Sequence, residues 1–214
     1  PSPASLGLEA ELARGASDAE GETAALEGLE ALLQATPAAH ALVCLRLAEL
    51  ALGRPAADAP RSAAFWYRRA LASAPDDTEL RRRVIELHRR TGNLPELASE
   101  LRGALDRAGS AAPIALSLEL ARALAELGNL SEASRVLQPA FERAPESPDA
   151  GDLLESLLAE QDRIEELCDV LALRLAHERD PARRRELAHR QAGLLLEGLQ
   201  RASDAVAALR EFAD

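Results

Sequence analysis

Two stretches of this chain, thirty-six residues apart, read almost alike: Thr91-Gly92-Asn93-Leu94-Pro95-Glu96-Leu97 and Leu127-Gly128-Asn129-Leu130-Ser131-Glu132-Ala133. A turn that recurs at this spacing marks one supersecondary unit stacked several times. Such stacks present surfaces rather than enclose catalytic pockets. The pair of turns therefore predicts the shape of the molecule and leaves its partner open.

Composition predicts which kind of unit is stacked. Ala and Leu dominate the apolar residues, and the 214-residue chain has three Phe, one Trp, one Tyr and no Met. Ala and Leu lead the helix-propensity ranking, and the Val, Ile, Thr and aromatic enrichment of strands is missing. An all-α chain follows. No apolar run approaches the roughly eighteen residues that crossing a bilayer requires, so no membrane insertion is expected. Pro1-Ser2-Pro3-Ala4-Ser5 shows no charged segment leading into an apolar one, so no signal peptide is read there; a leader already removed is the alternative, and the compartment stays open with a cytoplasmic setting favoured. The lack of any Met is read as the mark of a fragment of a longer protein. Every Lys-or-Arg position is Arg, as a GC-rich bacterial source would give.

Net charge is −11, unevenly spread. Residues 1–34 carry seven acids and one Arg, residues 61–107 ten Arg and seven acids, and residues 110–180 fifteen acids and six Arg. Nucleic-acid binding needs a positive field that releases counterions, and the overall sign is opposite. The runs Arg81-Arg82-Arg83 and Arg183-Arg184-Arg185 do not change this, because three consecutive side chains fan around a helix and form no patch. No aromatic residues interleave with them to stack bases. Cys44 and Cys168 sit in apolar faces and are expected as buried free thiols.

Between its Gly, Pro and Asn punctuation, the chain shows apolar residues three and four apart, as in Leu116, Leu120, Leu124 and Leu127. The pattern predicts helices near 5–13, 22–35, 38–52, 60–74, 77–91, 95–108, 112–127, 131–144, 149–160, 163–178, 182–198 and 202–213. Asn93, before a first-turn Pro95, is expected to cap one helix, and Asn129 or Ser131 to cap its counterpart. Short connections fold successive helices back as hairpins that stack. The stretch Gly53 to Pro60 reads as a loop insertion, and the Gly-rich, acidic Arg14 to Gly21 as a loose connection that leaves the first helix poorly packed.

These residues resemble the tetratricopeptide repeats, helix pairs of 34 residues with a W-x2-L-G-x2-Y, A-x3-F, P pattern. From Pro113 to Ser147, Leu120-Ala121 stand at the L-G site, Leu124 at the Tyr site, Gly128 at the turn, Ala133 and Leu137 at A-x3-F, Ala140 at the next small site and Pro145 at the closing proline. Ala63, Tyr67, Ala70 and Pro75 match the second half of an earlier unit; Ala25, Leu29 and Pro37 match a first one; Gly193, Ala205 and Leu209 match the last. Turns at Gly53, Gly92, Gly128, Asp162 and Gln200 give spacings of 39, 36, 34 and 38 residues. Leu97 and Leu167 replace the small Ala of the second helix, Glu155 replaces the Gly of the first, and the Trp site never holds Trp. The resemblance implies a right-handed α-solenoid of about twelve helices forming one domain over 1–214. Its units fall at about 1–37, 38–75, 76–111, 112–147, 148–181 and 182–214.

In that family the first helix of each pair lines a concave groove for a partner protein or peptide. The resemblance places Glu79, Arg82, Glu86, Arg89 and Arg90 there, then Leu118, Arg122 and Glu126, then Asp152, Ser156 and Glu160, then Arg190, Leu194 and Glu197. An Arg fork takes carboxylates bidentately, so Arg82, Arg89 and Arg122 are candidates for holding an acidic segment, with Glu86, Glu126 and Arg190 beside them. The competing reading pairs each Arg with a Glu three or four positions away on a solvated helix face. Some family members clamp a C-terminal carboxylate with Lys and Asn. This chain has no Lys, and its two Asn lie in turns.

Catalytic constellations are absent from the pattern. His40, His88, His177 and His189 form no H-E-x-x-H or Cys/His cluster, no Gly-rich phosphate loop occurs, and without Lys neither a P-loop nor a Schiff base can be built. His88, at the Tyr site, reads as a packed histidine, and Asp76-Asp77 as helix-start acids. No catalytic, cofactor or metal residue is assigned. The sequence is thus read as a non-catalytic scaffold for protein or peptide partners. Two alternatives stay open: a regulatory arm of a larger enzyme or signalling protein, and a self-association module joined through its terminal helices.

Overall fold

The structure, a computed structural model, describes residues 2–53 and 59–210, with residues 59–61 described by backbone alone. It is all-α. The described residues form twelve α-helices with short connections and no strand. Two compact units are present, one reaching to Asn93 and one starting at Leu94. The first holds α1 (Pro3–Gly15), α2 (Ala19–Leu32), α3 (Pro37–Leu52), α4 (Ala59–Ser73) and α5 (Thr78–Thr91). The second holds α6 (Leu94–Ala108), α7 (Ile114–Glu126), α8 (Leu130–Arg143), α9 (Pro148–Glu160), α10 (Ile164–His177), α11 (Pro181–Gly193) and α12 (Ala202–Leu209). Within each unit every helix packs on the next, and α7 also touches α9, the stacking of an α-solenoid.

Two chemically different kinds of turn recur along the chain. One residue adopts left-handed backbone after α1 (Ser17, φ 59), α5 (Gly92, φ 65), α7 (Gly128, φ 79), α9 (Asp162, φ 55) and the π turn that follows α11 (Gln200, φ 55), and Gly109 (φ 55) does so after α6. At the first four of these, the next amide reaches back five residues. Asp18 N donates to Ala13 O, Asn93 N to His88 O, Asn129 N to Leu124 O and Arg163 N to Leu158 O, at 2.8–3.0 Å. These are Schellman closures, which satisfy carbonyls that the helix end would otherwise leave bare. Where the second helix gives way to the next pair, proline opens the new helix at Pro37, Pro148 and Pro181, positions where its missing N–H costs nothing.

The small and large residues that carry the repeat resemblance are the core. In the second unit Leu120, Ala121, Leu124, Ala133, Leu137 and Ala140 are buried, with Phe141 beside them. In the first, Ala63, Tyr67 and Ala70 pack with Cys44, Val84 and Leu87, while Ala25, Leu26 and Leu29 pack with Leu6, Ala10 and Leu47. Trp66 lies partly buried against both groups. An Ala at a helix crossing lets two backbones approach, and the neighbouring Leu or Phe fills the groove that remains.

Four expectations need correcting. The segment Arg14 to Gly21 is not loose: α1 runs to Gly15 and α2 starts at Ala19. Ser17 makes the left-handed turn, the Asp18 carboxylate accepts from Gly21 N at 2.9 Å, and Leu6 of α1 packs close against Gly28 of α2. Asn129 occupies the cap of α8 but its side chain makes no capping bond, and Ser131 donates to Gln161 Oε1 instead. The helix expected over 182–198 ends at Gly193 and continues as one π-type turn, Leu194–Gly198. Gly53 turns with ordinary right-handed backbone, φ −72, and most of the insertion expected after it lies outside the described residues, as do residues 211–214. No described helix is long and apolar enough to cross a membrane.

Candidate functional site

In the first unit the charged residues form a ladder across four helices. Arg14 Nε donates to Glu22 Oε1 at 2.8 Å, and Arg46 holds the same carboxylate with two bonds, Nε at 2.8 Å and NH2 at 3.0 Å. Arg46 then reaches Glu49 (3.1 Å), Glu49 accepts from Arg83 (3.2 Å), and Arg83 shares Glu79 with Arg82. Arg82 grips Glu79 bidentately at 2.8 and 2.9 Å. That grip, with Arg83 behind it, holds the Glu79 carboxyl down to about 2. Near that end of the ladder lies a cavity of about 370 Å³, whose wall combines Leu52, Tyr67 and Leu87 with Arg82, Arg83 and Arg90 and one acid, Glu86. Arg90 makes no ion pair among the described residues.

The expected groove residues divide between the units. Arg82, Glu86 and Arg89 lie on α5, with Arg89 paired to Glu86. The local ion pairs of the competing reading are therefore present on this helix, Arg82 with Glu79 and Arg89 with Glu86, each three residues apart. In the second unit Arg122 of α7 reaches Asp149 of α9 at 3.4 Å, and Glu126 is exposed. Arg190 of α11 pairs with Glu155 of α9 at 2.5 Å. Glu155 is buried and also takes Arg174 of α10, which extends to Asp152 at 2.8 Å. The site where the family keeps a small residue thus holds a carboxylate fixed by two guanidinium groups. Its cavity, about 220 Å³ in volume, balances Arg174, Arg183 and Arg190 against Asp152, Glu178 and Glu186. That wall has no excess charge to offer a ligand.

A third polar group lies inside the first unit, between α2, α3 and α4, where the sequence reading saw no Cys/His cluster. His40 and Cys44 stand one turn apart on α3 and are buried beside Glu30. Their four-residue spacing on one helix was the available signal. Burial, then the nearby Glu30 charge, push the Cys44 thiol up to about 11, so it is no thiolate nucleophile at neutral pH. Cys168 is likewise buried and free, its thiol raised by burial.

The fold is a tetratricopeptide-like stack of helical repeats. A crystal structure of MamA protein matches with a TM-score of 0.50 at 12% identity, covering 80% of this chain and 88% of that one. MamA AMB-1 matches with 0.50 at 16% identity over 82% and 91% of the two chains. YrrB, a TPR protein with an unusual peptide-binding site, aligns at 17% identity over 79% and 82%, with a TM-score of 0.48. The MamA likenesses show the fold. No protein-family model matches the chain, and no curated protein matches it.

Proposed function

We propose that the chain is a non-catalytic scaffold whose stacked first helices bind a protein or peptide, and that the α5 face takes a segment carrying both carboxylates and an apolar side chain. The observation that carries this reading is the wall of the α5 cavity. Leu52, Tyr67 and Leu87 offer an apolar floor, while Arg82 and Arg83 share Glu79, Arg83 also meets Glu49, and Arg90 makes no ion pair among the described residues; against the single acid Glu86 in that wall, guanidinium N–H groups remain to donate. Charge-assisted bonds to carboxylates are stronger than neutral ones, so Arg groups of this kind favour acidic segments. The reading takes 1–214 as one repeat domain.

The test is recovery of partners from a lysate of the source with the wild-type chain and with Arg82→Ala/Arg90→Ala, both checked for unchanged helical content. Loss of acidic partners from the variant supports the reading, and identical recovery sinks it. A self-association reading is favoured by one observation: Leu8 and Leu12, one turn apart on α1, are 60% and 66% exposed. Sedimentation at several concentrations separates a monomeric binder from a module that pairs through α1.

A further inference from the structure

Glu30, His40 and Cys44 bring together the three ligand chemistries that borderline divalent metals favour: a carboxylate oxygen, an imidazole nitrogen and a sulfur, all within 4.8 Å of one another and all buried. His40 Nε2 lies 2.8 Å from Glu30 Oε1 and 3.8 Å from Cys44 Sγ. The other ring nitrogen, Nδ1, lies 2.7 Å from Ser73 Oγ, itself hydrogen-bonded to the Arg69 carbonyl at 3.3 Å. Metal-bound imidazoles are held in this way, the distal N–H donating to a fixed oxygen while the proximal lone pair faces the ion. Around a tetrahedral ion with bonds of about 2.0–2.3 Å, neighbouring ligand atoms stand roughly 3.3–3.8 Å apart. The triad needs only small shifts to reach that spacing.

A cation already answers the Glu30 charge in the structure, the guanidinium of Arg69, and it fits poorly. Its Nε is buried without a hydrogen-bond partner, while the side chain as a whole is 37% exposed. Its Cζ lies 5.7 Å from the Phe65 ring centroid, and that ring is itself exposed, so the guanidinium has an outward resting place. We propose that Glu30, His40 and Cys44 form a binding site for a zinc-class divalent ion, which enters by displacing the Arg69 guanidinium from Glu30. On binding, the Cys44 S–H bond breaks, its proton leaves to solvent and the sulfur pair bonds the metal; no electron is transferred. Water takes the fourth position, as in other three-ligand zinc sites. The neutral thiol at neutral pH does not oppose this, because a coordinating metal deprotonates the sulfur it binds.

The experiment titrates the chain with Co²⁺ and then with Zn²⁺. One equivalent of Co²⁺ is expected to give thiolate-to-cobalt charge-transfer absorption, which Zn²⁺ abolishes. Cys168→Ser keeps the band and Cys44→Ser loses it, while Zn²⁺ raises the melting temperature of the first and not of the second. Ser73→Ala weakens affinity by about 10–100-fold. Arg69→Gln retains every ligand and removes the competing cation, so it must bind more tightly than wild type. A wild-type chain without the band, or a band that survives Cys44→Ser, overturns the site. Unchanged or weaker binding by Arg69→Gln overturns the exchange.

Discussion

Arg174 lies directly against Gly151. A methyl group placed on that glycine would stand 2.8 Å from Arg174 Nε and 3.0 Å from its Cδ and Cζ. The arginine has little freedom to retreat, because its guanidinium is tied to Asp152 and Glu155 and its side chain is 14% exposed. Glycine at this turn of α9 is therefore what lets a cation from α10 reach the buried carboxylate of Glu155.

Gly151→Ala tests that arrangement. In an unconstrained helix the change would stabilise by roughly 1 kcal/mol. Here overpacking against a held side chain costs about 1–3 kcal/mol, so a net loss of stability is expected. In an Arg174→Ala background the space is open, and the same change should be neutral or stabilising. A wild-type chain that becomes more stable with Gly151→Ala would contradict the contact.

The same substitution should give opposite signs at two other glycines. Gly7 lies inside α1 with no heavy atom within 4 Å of an added Cβ, so Gly7→Ala is expected to stabilise by about 0.5–1 kcal/mol through helix propensity. Gly92 is as open but sits at φ +65, where a Cβ meets its own backbone. Gly92→Ala should cost roughly 1–2 kcal/mol. Thermal melts of the two variants read the difference directly, and equal shifts would remove the role given to the recurring turn.

These cases show which parts of the molecule were legible. Most of the turns were, because a left-handed residue tolerates few side chains: Gly92 and Gly128 stand at two of them, and Asp162 and Gln200 were placed as turns by the gaps between the predicted helices. Ser17 was passed over because its neighbours Gly15 and Gly21 drew the turn signal, yet both lie inside helices. The buried charges were not legible. Glu22 and Glu30 entered the sequence reading only as two of the seven acids of residues 1–34 and Glu155 as a departure from the repeat pattern, because their partners Arg46, Arg69 and Arg174 lie 24, 39 and 19 residues away. Pairings at that range depend on how helices stack, which side-chain spacing within one helix does not encode. The α5 cavity was half legible: Arg82 and Arg90 followed from the repeat register, while Leu52 and Tyr67 come from the two preceding helices.

Glu22 gives the pH dependence a definite sign. Its carboxylate is buried, and hydrogen bonds from Arg46 first, with Arg14 adding to them, outweigh the opposing effect of burial and hold it below the ordinary 4.5. In the unfolded chain the group takes up its proton near that ordinary value, so between the two values the unfolded state binds more protons. Stability from this group is therefore complete above about pH 4.5 and is lost as pH falls through the lowered folded value. Other acids contribute to acid unfolding, Glu79 among them, so the informative quantity is the gap between wild type and Glu22→Gln. That gap in melting temperature should be widest near neutrality, where the variant lacks a charge that two arginines require. It should narrow as the pH drops below 4.5, where the unfolded wild-type chain takes up a proton that the folded carboxylate still lacks. A gap that stays constant from pH 7 into the acid range would show that the ladder from Arg14 to Arg82 is held by something other than the ionised Glu22.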